Sequence, residues 1–234
     1  TGELWQGTVT LGTRDVSKKE KRAPSSNIQL MKTINLLFCV IIFAMLTTPG
    51  LRGQSLAPED LAQGLKYLEK TRQGVIASTK GLSEAQWKFK AATNRWSVAE
   101  VTEHIAAAED LLMAMVQDKV MKAPGRTEAE DVKALDQLVL QKIPDRSAKA
   151  KAPEPLEPKN QFGSPQASLK HFQESRAKTI AFLKATPDVR QHVAESPLGK
   201  KLDAYEWVLF IAAHSERHTK QIEEVKADPN FPKR

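Results

Sequence analysis

The chain has 234 residues, 41% of them apolar, 27% charged and 6% aromatic, which is enough to bury one core-forming domain with appendages. Its 35 Lys and Arg against 28 Asp and Glu give a formal charge of +7, but seven of those cations and three of those acids precede Ser55, leaving +3 on 55–234. So thin an excess lays down no basic stripe for nucleic acid, and collagen-like, repeat and wholly disordered compositions are likewise excluded.

Residues 1–30 begin with Thr and run polar from Arg14 to Asn27 without helical periodicity. They read as upstream sequence translated in frame or as a disordered arm, and are set aside from the fold. Lys32 then precedes an apolar run over 34–46, interrupted only by Asn35 and followed by Pro49 and Gly50. The run is short for a membrane span, and its basic start and Gly-containing exit match a secretory signal peptide over 31–54, with Met31 as initiator. The expected mature protein is exported, periplasmic or extracellular, with no stable membrane anchor. An uncleaved anchor or a buried apolar helix is the alternative. Cys39 is the sole cysteine and lies in this run, so a mature form has no disulfide and no thiolate of its own.

The domain expected over 55–226 opens at Pro58-Glu59-Asp60, after which Leu61, Leu65, Leu68, Val75 and Ile76 recur at helical spacing, predicting a helix over about 58–80. A short turn over 83–89 carries Trp87 and Phe89 as core plugs. Ser97-Val98-Ala99-Glu100 is a capping box opening a second long helix to about 120, its apolar face formed by Val98, Val101, Ile105, Ala108, Leu112, Met115 and Val116. Trp96 stands just before the cap, where a hydrophobic staple packs on the first turn. A shorter helix is expected over 127–141. The stretch 144–165, with five prolines and many charges, reads as a long crossover; its Lys149 and Lys151 are solvated cations first and anion contacts second. Third and fourth long helices follow over 166–185 and 202–225, and 227–234 is a tail. No convincing strand alternation appears. The fold class is all-α, a four-helix bundle with a long crossover, so consecutive helices need not all be antiparallel.

Within the last helix the inward stripe Trp207, Ile211, His214, His218, Gln221, Val225 follows gaps of four and three, so two imidazoles interrupt a core-facing line. His104 stands beside the apolar face of the second long helix. A histidine pair at i and i+4 can converge on one ion, and a third ring from a facing helix makes a nitrogen-rich site with room for water or substrate. The competing reading is a set of buried neutral histidines satisfied by neighbours. Zinc is favoured among divalent metals, with nickel or iron also compatible with these donors. His171 and His192 have no matching cluster and read as solvated or locally hydrogen-bonded.

Two stretches carry a family resemblance. Arg95-Trp96-Ser97-Val98-Ala99-Glu100-Val101-Thr102-Glu103-His104-Ile105 resembles the helix-opening motif of the DinB-like family, and His214-Ser215-Glu216-Arg217-His218-Thr219-Lys220-Gln221-Ile222 resembles its later partner. The resemblance covers most of 57–226. It implies an up-down-down-up four-helix bundle whose three-histidine metal site maps onto His104, His214 and His218. It also implies relatives that include metal-binding proteins and thiol-dependent transferases or isomerases, often homodimeric.

Trp96, Ser97 and Glu100 are accounted for by shaping and capping the helix that carries His104. Arg95, Arg217 and Gln221 are placed to meet an anionic substrate or adjust a ligand, with surface pairing an equal account. Glu103 adjoins a ligand without needing to face the same cavity. His214-Ser215-Glu216-Arg217-His218 differs from the His-Glu-x-x-His pattern, so the sequence does not support a metalloprotease. The open alternatives are a hydrolase using metal-bound water, a transferase using an external thiol on a small-molecule substrate, a nonenzymatic bundle fastened by its metal, and an acid- or partner-responsive module without one. Whether the chain is an enzyme is left open by the sequence.

Overall fold

The computed structural model describes residues 55–127, 130–147 and 151–233. The expected upstream arm, the expected signal peptide with Cys39, and Lys149 lie outside the described residues. Helix α1 spans Pro58–Thr79, opened by proline at its first position and by Glu59 and Asp60 in its first turn, which suit unpaired amides and a positive helix end. A one-turn helix, α2, spans Glu84–Lys88 behind a Ser83/Gln86 capping box. Helix α3 spans Val98–Asp118 behind the Ser97/Glu100 box.

The next helix, α4, spans Val132–Lys142 and starts later than the expected residue 127, because Asp131 caps it by accepting from the amides of Lys133 and Ala134. Helix α5 spans Pro165–Ala185, capped by Ser164. A small antiparallel hairpin follows, β1 (Val193–Glu195) and β2 (Lys201–Asp203), and Asp203 with Glu206 boxes the start of α6, Ala204–Lys226. Leu202, read from sequence as the first residue of the last helix, is instead a fully buried strand residue. Three-residue strands are too short to carry a period of two, which is why the alternation is invisible in the sequence. No helix among the described residues is long and apolar enough to cross a membrane.

Pairing along the helices gives their directions. Asp60 meets Tyr205, Tyr67 meets Glu216 and Ser78 meets Lys226, so α1 and α6 run parallel. Gly64 faces Leu183 while Leu68 and Thr71 meet Arg176, so α5 runs against α1. His104 meets His218 while Arg126, past the end of α3, reaches Glu206, so α3 runs against α6. Hence α1 and α6 point one way and α3 and α5 the other, and the connector over 143–164 returns the chain to the end where α3 began.

Two apolar clusters fill the bundle. One, with Leu68, Val116, Leu183, Trp207, Leu209 and Ile211, lies toward the start of α6. The other, with Val75, Trp87, Val101, Ile105, Phe172 and Ile222, lies toward its end. Nearly all of α6 from Ala204 to Ala213 is buried, so its first half is apolar around most of its circumference.

Arg176, with no exposed surface, donates from Nε and Nη2 to the two Glu109 oxygens at 2.7 and 2.8 Å, from Nη2 to Ser215 at 2.8 Å, and from Nη1 to Leu68 O at 2.9 Å and Thr71 at 2.8 Å. All five guanidinium N–H groups are thereby used, and one side chain ties α1, α3, α5 and α6 together. A second buried polar hub at the start of α6 sets Arg190 over the Tyr205 ring and against Asp60, Asp136 and Asp203. There burial, and then the facing Asp203 carboxylate, push Glu206 up to about 8.

Candidate metal centre

His104 comes from the second turn of α3, a helix whose start the Ser97/Glu100 box fixes: Ser97 Oγ accepts from the Glu100 amide at 3.2 Å, and Glu100 Oε2 accepts from the Ser97 amide at 2.8 Å. Trp96, half-buried, tilts over the His104 ring with centroids 4.9 Å apart, so it shapes the site as well as the helix start. His214 and His218 come from successive turns of α6. His104 and His218 are 3% and 8% exposed, and His214 is partly buried.

The three Nε2 atoms converge: 3.3 Å between His104 and His214, 3.2 Å between His104 and His218, and 3.1 Å between His214 and His218. Tetrahedral coordination with bonds of about 2.0–2.1 Å places ligand atoms about 3.3–3.4 Å apart, close to what these rings already present. The other ring nitrogens carry the decisive information. His104 Nδ1 lies 2.8 Å from the Leu156 carbonyl, which only accepts, and His218 Nδ1 lies 2.8 Å from Gln221 Oε1, also an acceptor. Both rings therefore hold their proton on Nδ1, and their Nε2 lone pairs face each other with no hydrogen between them.

Burial lowers the His104 pKa; burial and the neighbouring rings His218 and His104 hold His214 well below its ordinary value; burial and then His104 bring His218 to about 3. Neutral imidazoles with opposed lone pairs are a poor hydrogen-bonded cluster and a good set of metal ligands. The donor set fits a divalent ion.

The connector builds half of this site. The Glu103 carboxylate accepts from the amides of Lys159, Asn160 and Gln161 at 2.8, 3.0 and 3.0 Å, so it faces away from the rings and anchors the loop that brings Leu156 O to His104. Asn160 takes a left-handed φ of 57° in that anchored turn. Leu156 is buried in a 3-10 turn, so the stretch 144–165 is more than a solvated crossover. At its other end, Lys220 reaches Pro144 O, and the Arg217 guanidinium donates to Asp145 O.

Gln221 thus sits directly behind His218. Arg217 holds the connector. Arg95 is exposed; its charge adds a lesser share to the Arg146 hydrogen bonds that lower the Glu224 pKa from its ordinary value. His171 pairs with Asp110 at 2.5 Å and stacks on Phe162, and His192 bonds Ala123 O, so each has the local partner expected of it. Lys151 is exposed and lies 3.9 Å from Glu157. A cavity of about 390 Å³ between α1, α4 and α6 is lined by Tyr67, Leu140, Leu209 and Glu216 but by none of the three histidines, so donor convergence and not volume locates the chemistry.

The family model of the DinB superfamily matches residues 67–222, spanning both histidine-bearing helices. The chain belongs to the DinB superfamily. The uncharacterized protein YuaE of Bacillus subtilis (strain 168) is 28% identical over 148 residues, 63% of this chain and 87% of its own length. A solved structure, YfiT from Bacillus subtilis, described as a probable metal-dependent hydrolase with an unusual four-helix bundle topology, aligns with a TM-score of 0.47 at 16% identity, covering 76% of this chain and 93% of its own.

Proposed function

We propose that this DinB-superfamily protein holds one divalent ion, with zinc favoured, on His104, His214 and His218, and uses it to act on a small molecule. The opposed lone pairs of His104 and His218 carry this reading, since one cation between the rings satisfies both at once. Three ligating groups are present among the described residues, a count typical of metal sites that keep one position open for water or substrate.

A bound ion would supply Lewis acidity, lowering the pKa of a water or thiol placed there. The chain's own part is to cover the Trp96 side, present three neutral nitrogens and fix two of the rings, His104 and His218, from behind. Nearby carboxylates have other tasks: Glu100 caps α3, Glu103 anchors the connector, and Glu216 accepts from Tyr67 at 3.1 Å and pairs with Lys220 at 3.0 Å. No described carboxylate is thereby assigned as general base, and proton transfer falls to solvent or substrate. Hydrolysis and transfer from an external thiol are both compatible with this arrangement; the chain supplies no thiol of its own beyond Cys39. Export rests on Lys32 and the apolar run over 34–46, and a homodimer is part of the same reading.

Assaying metal-loaded protein on small electrophiles, with and without low-molecular-weight thiols, tests the activity. Turnover that vanishes with a chelator and returns with the ion is expected, thiol dependence marking transferase chemistry and its absence hydrolysis. Turnover indifferent to chelation would contradict a metal-dependent reaction.

A further inference from the structure

Behind His218 lies a relay that the three ligands alone do not explain. Gln221 Oε1 accepts from His218 Nδ1 at 2.8 Å and from Arg146 Nη1 at 3.3 Å. Arg146, from the start of the connector, is itself clamped by Glu224, with Nε to Oε1 at 2.6 Å and Nη2 to Oε2 at 2.7 Å. His218, Gln221 and Glu224 are spaced by three along α6, so one helix face presents ligand, amide and clamp in a row.

We propose that Arg146 is a positioning residue that fixes the tautomer of His218 by holding the Gln221 side-chain amide in one orientation. A glutamine amide has two ends of nearly equal shape and opposite hydrogen-bonding sense. With Oε1 toward the ring, Nδ1 carries the proton and Nε2 offers its lone pair to the metal. With the amide turned over, its NH2 faces the ring, Nδ1 becomes the acceptor, and Nε2 carries the proton and is lost as a ligand. Arg146 decides between these because a guanidinium donates and never accepts: the turned amide would bring donor against donor. The bidentate Glu224 contact keeps the guanidinium from moving aside. A residue 72 positions before its ligand in the chain thereby sets that ligand's chemistry.

The proposal rests on His218 being a ligand, and the test separates the two ideas. In metal-free protein at a pH where the rings are neutral, nitrogen NMR of His218 reads the tautomer whether or not any ion binds. The wild type is expected to hold the proton on Nδ1, and Arg146→Met to show a mixture. Zinc titration of the same variant should show affinity lowered about 10–100-fold, the usual effect of losing an outer partner of a ligating histidine. Arg146→Lys, still a donor that never accepts but without the fork that Glu224 clamps, should restore the tautomer and the affinity in part. Gln221→Glu offers only acceptors whichever way it turns, so in that background Arg146→Met should cost less than about threefold.

An unchanged tautomer in Arg146→Met, or an equal loss in the Gln and Glu backgrounds, would overturn the proposal. Wild-type protein that fails to bind zinc while showing the NMR change would instead overturn the metal reading and leave the relay standing.

Discussion

His104 and His218 show why the identity of a ligand is less informative than the group behind it. The gap of four between His214 and His218 is visible in the sequence and common on ordinary helices; the Leu156 carbonyl and the Gln221 amide, which turn two rings into paired lone-pair donors, are what support the proposed metal site. Burial keeps these rings neutral, with a consequence for metal-free protein. His218 falls to about 3 in the folded chain against an ordinary value near 6.5, so between those limits the unfolded chain binds more protons and stability is lost as pH falls below about 6.5. His104 and His214 shift in the same direction. Urea unfolding of metal-free protein between pH 7 and 4 should therefore show falling stability, with a shallower fall in His218→Ala. Parallel slopes for the two proteins would show that the ring is not held neutral by the fold.

Among the elements, the connector over 143–164 departs furthest from its sequence. The long helices are legible because Leu61, Leu65 and Leu68, or Trp207 and Ile211, repeat at helical spacing, and because Ser97 and Glu100 form a recognisable box. The connector contributes a backbone carbonyl and backbone amides, which leave no side-chain signature. Its one clue is Leu156, an apolar residue among prolines and charges that has to be buried somewhere. Arg146 has no such clue, being one cation in a charged stretch. Glu103 is legible only as a neighbour of a ligand, yet it binds three connector amides. Glu103→Ala should cost about 1.5–3 kcal/mol of stability through its lost charged hydrogen bonds. It should also weaken zinc binding about tenfold by loosening Leu156 from His104, and protease should cut faster between residues 143 and 163. Unaltered cleavage and affinity would mean that the loop is held by other contacts.

Across the whole molecule, the bundle is tied at its middle by a charge that hydrophobic patterning does not reveal. Arg176 follows Ser175 on a helix read from sequence by Phe172 and Ile180, and nothing in its spacing marks it as the residue that bonds to three other helices. Removing one partner of a buried ion pair leaves a charge uncompensated, so Arg176→Leu should cost about 3–5 kcal/mol. Replacing Glu109 by Leu as well should recover much of that loss in chemical denaturation, because both charges then leave the core together. A double variant as unstable as the single one would show that the hub acts by shape and not by charge pairing. Ser215, one of its contacts, adjoins His214, so the same hub fixes the rotation of α6 that turns both α6 ligands toward His104.

The most direct test of the central claim is elemental analysis with metal titration of purified wild type and of His104→Ala, His214→Ala and His218→Ala. One divalent ion per wild-type chain, with binding weakened severely in each variant, is expected; equal metal retention in all four proteins would contradict the assignment.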